Sequence, residues 1–447
     1  MDIHTEEQHQ KPTRGNPKHA GSKTRPPKRK QLNPLQKGIH EFITSNLTPS
    51  VLSEFGISLN TDNDAETLLS TLPKRFTIYD PMLLLSSNAL TAPPQWGALY
   101  ASLSTSQRET LFRSIAQAFK NHGVTHIAIN APIAAIDASG GENRMRSPVG
   151  LVPLYGDFGT PPLAAGEGEE SKQPSELDFN RAFWVRTIQN HGIVQIWAPL
   201  YTMFSRGNVT EKARILGQGG RFDGLDEMTG LRGETAGEIS VVDMYAGIGY
   251  FVFSYLKRGV KRVWGWEING WSVEGLRRGC EANGWGCMVV RVRDDGAIDA
   301  TVEELVERLG DEVRVVIFHG DNKFAAGILD EIKRRMDGKE TWNSIRHVNL
   351  GLLPSSSSAW ENACNMVDGR FGGWVHVHEN VDVRDINRKR DEIVVELGKL
   401  WREAQGHQIP VEHTVAECRH VEEVKTYAPG VMHCVFDIEL LSPGIES

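Results

Sequence analysis

Asp243 stands at the end of an apolar run and is followed, in VVDMYAGIGYF, by Gly247-Ile248-Gly249 at the opening of a helix. Glycines at such a turn let the backbone approach a ligand with no Cβ in the way, and the free N–H groups of a helix start favour an anionic group. A dinucleotide fingerprint would need Gly or Ala at position 252, which is Val, and no Gly-Lys-Ser/Thr follows. Neither a pyrophosphate cradle nor a P-loop is therefore indicated. Glu267 comes 24 positions after Asp243, at the end of VWGWEIN. A carboxylate there can accept from both hydroxyls of a ribose. Asp321-Asn322, just past His319-Gly320, can accept from an adenine amine and frame the ring, although Asp-Asn is also ordinary turn chemistry. His319, Glu211 and Glu379 are candidate proton acceptors. His376-x-His378 has no third ligand at a recognisable spacing, so no metal site is expected.

These residues need strands that end together. After the glycine-rich stretch 217–237, apolar β-branched runs alternate with helical patterns: strands at 239–244, 262–267, 313–319, 347–353 and 373–378, and helices at 250–257, 272–282, 359–367 and 385–404. In the last helix Ile393, Val394, Leu397, Leu400 and Trp401 form one apolar stripe. A closing hairpin, 411–424 and 431–441, turns at Ala428-Pro429-Gly430. Alternation of this kind predicts an α/β fold, a Rossmann-like sheet of the S-adenosylmethionine-dependent transferase type with seven strands and a final antiparallel pair. Residues 38–216 read as a preceding α+β domain, with strands at 75–79 and 124–131, an antiparallel pair at 182–188 and 192–201, and a flexible insertion at 156–178. The expected division is 1–37, 38–216, a connection at 217–237, and 238–447.

The chain has 447 residues, 40% hydrophobic and 24% charged, with a net charge of −8. No apolar run is long enough to cross a membrane, and the N-terminus lacks the apolar core of a secretory signal. Five scattered cysteines, never in a C-x-x-C pair, suit reduced thiols and a cytoplasmic location. Residues 1–37 carry nine Lys/Arg against three acids, and five prolines, which predicts a disordered basic N-terminal tail. A nuclear address in PPKRK, or an arm touching RNA, is a second reading of that tail.

In order and spacing, TMFSRGNVTEKARIL, VVDMYAGIGYF, WGWEIN, HGDNK, VNLGLLPSSSSAW, GGWVHVHENV and VKTYAPGVMHCVFDIEL resemble the wybutosine-synthesising protein 2 family, tRNA 4-demethylwyosine aminocarboxypropyltransferases related to the tRNA guanine-37 N1-methyltransferases. The resemblance covers roughly residues 180–441, more weakly back to about residue 70. It implies that S-adenosyl-L-methionine is held by Ser205, Lys212, Glu267, Asp321 and Asn322, beside Asp243, Gly247 and Gly249. It further implies that Arg206, Asn208, Arg214, Pro354 and Ser355 lie toward the RNA.

The implied partner is the anticodon loop of tRNA-Phe bearing 4-demethylwyosine at position 37, with no metal, no membrane and no obligate protein partner. Ring carbon C7 would attack the methionine Cγ, methylthioadenosine would leave, and C7 would lose a proton. Base-modifying N-methyltransferases usually carry (N/D)-P-P-(Y/F) after the fourth strand. Here the residues are Gly351-Leu352-Leu353-Pro354-Ser355-Ser356, which fits the aminocarboxypropyl family instead. A position-37 N-methyltransferase and a non-catalytic RNA-binding module with a vestigial cofactor pocket are the competing readings. The expected RNA surface is a local basic patch around Arg206–Arg214, concealed by the acidic mean.

Overall fold

A computed structural model describes residues 32–58, 68, 72–130, 151–159, 173–202, 204, 208–225, 230–337, 341–406 and 413–442. Most of the basic tail, PPKRK included, and residues 160–172 of the expected insertion lie outside the described residues.

The first domain comprises α1 (Pro34–Asn46), α2 (Pro49–Glu54), β1 (Phe76–Tyr79), β2 (Met82–Leu85), α3 (Pro94–Ser102), α4 (Thr105–Ala118), β3 (His126–Ile129) and β4 (Val152–Tyr155). Asn33 caps α1 by accepting the Gln36 N–H at 2.9 Å, with Pro34 in the first turn. Lys37 thus falls inside a helix, and the folded region begins earlier than position 38. Leu35, Ile39, Phe42 and Ile43 form the buried stripe of α1, and Leu111, Phe112 and Ile115 of α4 share the same core. The four strands lie in the order β1-β2-β3-β4, with β2 and β3 parallel.

Next come α5 (Glu176–Arg181), the antiparallel pair β5 (Val185–Ile188) and β6 (Val194–Trp197), and α6 (Val209–Ile215). Beyond them lie β7 (Ser240–Asp243), α7 (Val252–Lys257), β8 (Arg262–Glu267), α8 (Gly270–Asn283), β9 (Gly286–Arg291), α9 (Val302–Arg308) and β10 (Val313–His319). The chain continues through α10 (Ala325–Asp337), β11 (Ile345–Leu350), α11 (Trp360–Met366), β12 (Gly373–Asp382), α12 (Ile386–Ala404), β13 (Ala416–Ala428) and β14 (Val431–Leu440).

The large sheet has the order β13-β14-β12-β11-β7-β8-β10-β9, parallel from β12 to β9 and antiparallel at β14 and β13. It has eight strands, one more than the sequence pattern predicts. The addition is β9, an edge strand whose alternating exposure leaves only Met288 and Val290 fully buried, too weak an apolar signal to stand out. The sheet buries both faces. Trp266, Phe318, Val348 and Val375 pack under α9 to α12, while Val241, Val263, Val315 and Ile317 pack under α6, α7 and α8. Of the expected α12 stripe, Ile393, Leu397 and Trp401 are fully buried and Val394 and Leu400 pack partly against the same core.

The stretch 217–237 is not a free linker where it is described. Phe222 and Leu225 are buried, and the Arg346 guanidinium donates to the carbonyl of Gly230 at 3.0 Å and that of Leu231 at 3.3 Å. The β5–β6 pair is likewise fixed to the large sheet's helices: the Asn283 carboxamide accepts the Val194 N–H at 2.9 Å and donates to the Val194 carbonyl at 2.8 Å. No described helix is long and apolar enough to cross a membrane.

Candidate functional site

β7 lies where the strand order reverses, with β8 on one side and β11 on the other, and the crevice past the carboxyl ends of such strands is where open α/β sheets bind ligands. Gly247 (φ 54°) and Gly249 (φ 89°) make the turn out of β7 in the left-handed region, and a Cβ on Gly249 would stand 2.6 Å from the Phe253 ring. Glu267, at the end of β8, fastens this turn. Its carboxylate accepts the N–H of Gly247 at 2.9 Å and that of Asn269 at 2.8 Å. The expected third strand end is β10, beside β8. There Asn322 donates its amide to the Met244 carbonyl at 2.8 Å, and Asp321 accepts the Lys323 N–H at 2.9 Å. Asp243, Gly247, Gly249, Glu267, Asp321 and Asn322 therefore meet at one end of adjacent strands.

Asp243 is wholly buried. One of its oxygens accepts from the Tyr245 N–H at 3.2 Å and the Asn349 amide at 3.4 Å, while Oδ2 has no partner. Burial, with Glu267 repelling its charge, pushes the carboxyl up to about 7 against those two hydrogen bonds. His319 ends β10 in register with Glu267, and burial and the Arg291 charge lower its pKa.

Lys212 lies on α6, which starts at Asn208 in the left-handed conformation (φ 64°). Its Nζ is buried without a partner, 5.7 Å from the Tyr250 ring centroid, next to the Gly249 turn. Burial, then the charge of Lys425, brings the amine down to about 8. Gln195 of β6 lines the same small cavity, 1% exposed, with both carboxamide atoms unpartnered. Ser205 and Arg206, just before α6, lie outside the described residues.

Arg214 departs from expectation. It does not face solvent or RNA: it is 1% exposed, with its guanidinium 3.0 Å from each Glu211 oxygen and 2.6 and 3.2 Å from the two oxygens of Asp437. An arginine saturated by two buried carboxylates has no donors left for a phosphate, so the basic patch expected at Arg206–Arg214 loses this member. The chain of contacts runs on from Asp437 to His376 Nδ1 (2.7 Å) and from His376 Nε2 to His347 Nδ1 (2.9 Å). Burial opposes the charge of Asp437, but His376 and Arg214 hold its carboxyl well below the usual range. Burial pushes Glu211 up to about 7 against the pull of Arg214. The His376-x-His378 pair thus serves hydrogen bonds, His378 donating to or accepting from His433 at 3.0 Å. Among the described residues no group of His, Cys, Asp or Glu could hold a metal ion.

The loop Gly351–Ser356 follows β11. Ser355 donates its hydroxyl to Glu379 at 2.8 Å, and the Ser356 N–H reaches the same oxygen at 3.2 Å. Pro354 accepts at its carbonyl from the Asn380 N–H at 2.9 Å. Burial raises the Glu379 pKa, which these two hydrogen bonds oppose. Among the described residues, several buried polar atoms have no hydrogen-bond partner: Asp243 Oδ2, Asn349 Oδ1, Lys212 Nζ and both amide atoms of Asn380. The sequence offers only a faint signal for Gln195, Asn349 and Asn380, each a polar residue placed within or at the end of an apolar strand.

No protein-family model matches the sequence. Two curated proteins are close relatives. tRNA wybutosine-synthesizing protein 2 of Schizosaccharomyces pombe is 39% identical over 369 residues, 82% of this chain and 73% of that protein. The protein of the same name from Saccharomyces cerevisiae is 30% identical over 425 residues, 89% of this chain and 80% of that one. Among solved structures, P. horikoshii TYW2 in complex with MeSAdo aligns with a TM-score of 0.47 at 16% identity, over 91% of this chain and 99% of that chain.

Proposed function

Because the chain belongs to the tRNA wybutosine-synthesizing protein 2 family, we propose that the crevice past β7, β8 and β10 takes S-adenosylmethionine and passes its 3-amino-3-carboxypropyl group to 4-demethylwyosine at position 37 of tRNA-Phe. One observation carries the reading: a backbone cradle that a Cβ would fill adjoins a buried ammonium with no hydrogen-bond partner among the described residues. The cradle suits an adenosine, and Lys212 suits a carboxylate.

When bound, S-adenosylmethionine supplies an electrophilic Cγ beside a sulfonium that departs as neutral methylthioadenosine. The residues of the chain do the rest. Glu267 keeps lone pairs for two ribose hydroxyls while pinning the glycine turn, and Asp321 and Asn322 frame the adenine. Lys212, with Ser205, grips the amino-acid arm and turns it, so that Cγ rather than the methyl carbon meets ring carbon C7. Pro354 and Ser355 border the acceptor base, which must be splayed from the anticodon loop to enter. Asn208, at the start of α6, is assigned to the RNA side, as is Arg206 from the sequence resemblance alone. Glu379 and His319 are the candidates to take the C7 proton; Glu211, the third expected from the sequence, is wholly buried with both oxygens held by Arg214 and is not available for it. The four-stranded first domain is assigned to the tRNA side, and the free cysteines fit action in the cytoplasm.

N-methylation of position 37 is the second reading. The Gly351–Ser356 loop speaks against it, because its serine is turned toward Glu379 and no aromatic or Asn/Asp stands where a planar amine would be held. The test uses S-adenosylmethionine labelled in the carboxyl carbon or in the methyl, with tRNA carrying the tricyclic precursor. Carboxyl label entering the RNA is expected. Methyl label alone would replace this reading with methyl transfer, and RNA binding with no transfer would leave only a binding module.

A further inference from the structure

Asn380, near the end of β12, is one of the side chains whose buried polar atoms have no hydrogen-bond partner among the described residues. β12 runs on to Asp382, whereas its parallel neighbour β11 stops at Leu350, opposite Val377. Residues 378–382 therefore overhang the end of β11 and meet the loop that leaves it. The backbone of Asn380 is tied to that loop through Pro354, and Glu379 grips Ser355 and Ser356 from the opposite face of the strand. The strand end is thus fixed on both faces.

Strand alternation places Asn380 on the face that carries His376 and His378. The His378 ring lies 5.2 Å from that of Phe251. Phe251 in turn borders Gly351, where a Cβ would stand 3.2 Å from its ring and 3.3 Å from the Asn349 amide. Both amide atoms of Asn380 are buried, and neither has a hydrogen-bond partner among the described residues. Native proteins leave few buried polar groups unpaired, and a carboxamide missing both its donor and its acceptor contact has the capacity to bind an incoming polar group. The position in the sheet says what. β8 and β10, which carry Glu267 and Asn322, lie on one side of β7, whereas β12 lies two strands away on the other, across the β11 loop. In the reading above, that is the side on which the acceptor base enters.

We propose that Asn380 reads the hydrogen-bonding edge of the acceptor base and is a specificity-determining residue for the transfer. A carboxamide offers one donor beside one acceptor, the complement of a purine-type edge with a carbonyl next to an N–H or a ring nitrogen next to an amine. The inference rests on the reading above, in which the base enters beside Pro354.

The experiment compares wild-type enzyme with Asn380→Ala and Asn380→Asp. It measures kcat and KM for precursor-bearing tRNA with carboxyl-labelled S-adenosylmethionine, and the cofactor Kd by calorimetry, which also reports whether each variant is folded. Asn380→Ala is expected to lower kcat/KM for the tRNA about 10- to 100-fold, with the cofactor Kd within about twofold of wild type. Asn380→Asp keeps the acceptor and loses the donor, so it is expected to be impaired despite matching the shape. Unchanged kcat/KM in both variants overturns the proposal while leaving the transfer reading intact. A proportional loss of cofactor affinity overturns it as well, by assigning Asn380 to the cofactor. Wild-type enzyme that puts no carboxyl label into the RNA removes the transfer reading, and this proposal with it.

Discussion

Arg214 and Asp437 stand 223 positions apart in the chain and meet in the interior through hydrogen bonds of 2.6 and 3.2 Å, each side chain almost wholly buried. The pair joins α6, which carries Lys212, to β14 in the middle of the antiparallel end of the large sheet. Removing one partner of a buried ion pair leaves the other charged and unsolvated, which costs about 3–5 kcal/mol. Asp437→Ala should therefore lower stability by that order in urea unfolding, and should weaken S-adenosylmethionine binding because α6 is no longer held. A destabilised variant with undiminished cofactor affinity would show that the tie does not position Lys212.

Lys212 itself should show a pH signature. Its amine is brought down to about 8, so it is charged below that value and increasingly neutral above it. If it meets the methionine carboxylate, cofactor affinity should weaken as pH rises through about 8. In Lys212→Met that dependence should vanish and the Kd should rise roughly 10- to 100-fold, the range of a charge-assisted hydrogen bond. Calorimetric titrations at pH 7 and 9 would decide it.

Glu267 uses both oxygens on backbone N–H groups, those of Gly247 and Asn269. Glu267→Gln replaces one acceptor with a donor and should weaken cofactor binding at least about tenfold, with a stability loss of roughly 1–3 kcal/mol from the unpaired backbone amide. Normal cofactor affinity in this variant would contradict the ribose assignment.

Asp243 and His433 should shape the stability profile in opposite directions. The Asp243 carboxyl is raised from 3.8 to about 7, chiefly by burial. Its contribution is full below about 3.8 and is lost as pH rises through 7, because the folded state retains a proton that the unfolded chain has released. Asp243→Asn should remove this loss and gain on the order of 4 kcal/mol relative to wild type at pH 8, read from urea unfolding at pH 5 and pH 8.

His433 is brought down from 6.5 to about 4 by burial, with Lys425 adding to the effect. Its contribution is full above 6.5 and is lost as pH falls through 4, on the order of 3 kcal/mol. His433→Gln should flatten the acid limb of the stability curve between pH 6.5 and 4. An acid limb as steep as that of wild type would place the sensitivity in other groups.

The sheet was legible from its sequence wherever burial on both faces left an unbroken apolar run. VRVVIFH and RVWGWE are β10 and β8 to the residue. β9 escaped because an edge strand needs only one apolar face. That Asp243, Gly247, Glu267 and Asp321 would come together was readable because they follow strand ends at fixed offsets, which brings Gly247 to Glu267. Arg214 was misplaced for the converse reason. Its environment is decided by Asp437, which no local pattern links to it, and an arginine in a charged segment looks the same in sequence whether it meets solvent or a buried carboxylate. Asn380 is hidden in the same way: its significance lies in the length by which β12 outruns β11, a property of pairing rather than of composition.

The tie between α6 and β14 also bears on how the molecule is made. β14 is the last strand described, yet it enters the sheet between β12 and β13 rather than at its edge. Synthesis at about 5–20 residues per second separates Arg214 from Asp437 by roughly 10–45 s. Through that interval the nascent chain already holds the glycine turn and Lys212 but lacks the carboxylate that seats α6, the helix carrying Lys212. The growing polypeptide should therefore bind cofactor only once its final hairpin has left the ribosome, so that unfinished chains neither sequester S-adenosylmethionine nor engage RNA with half a pocket.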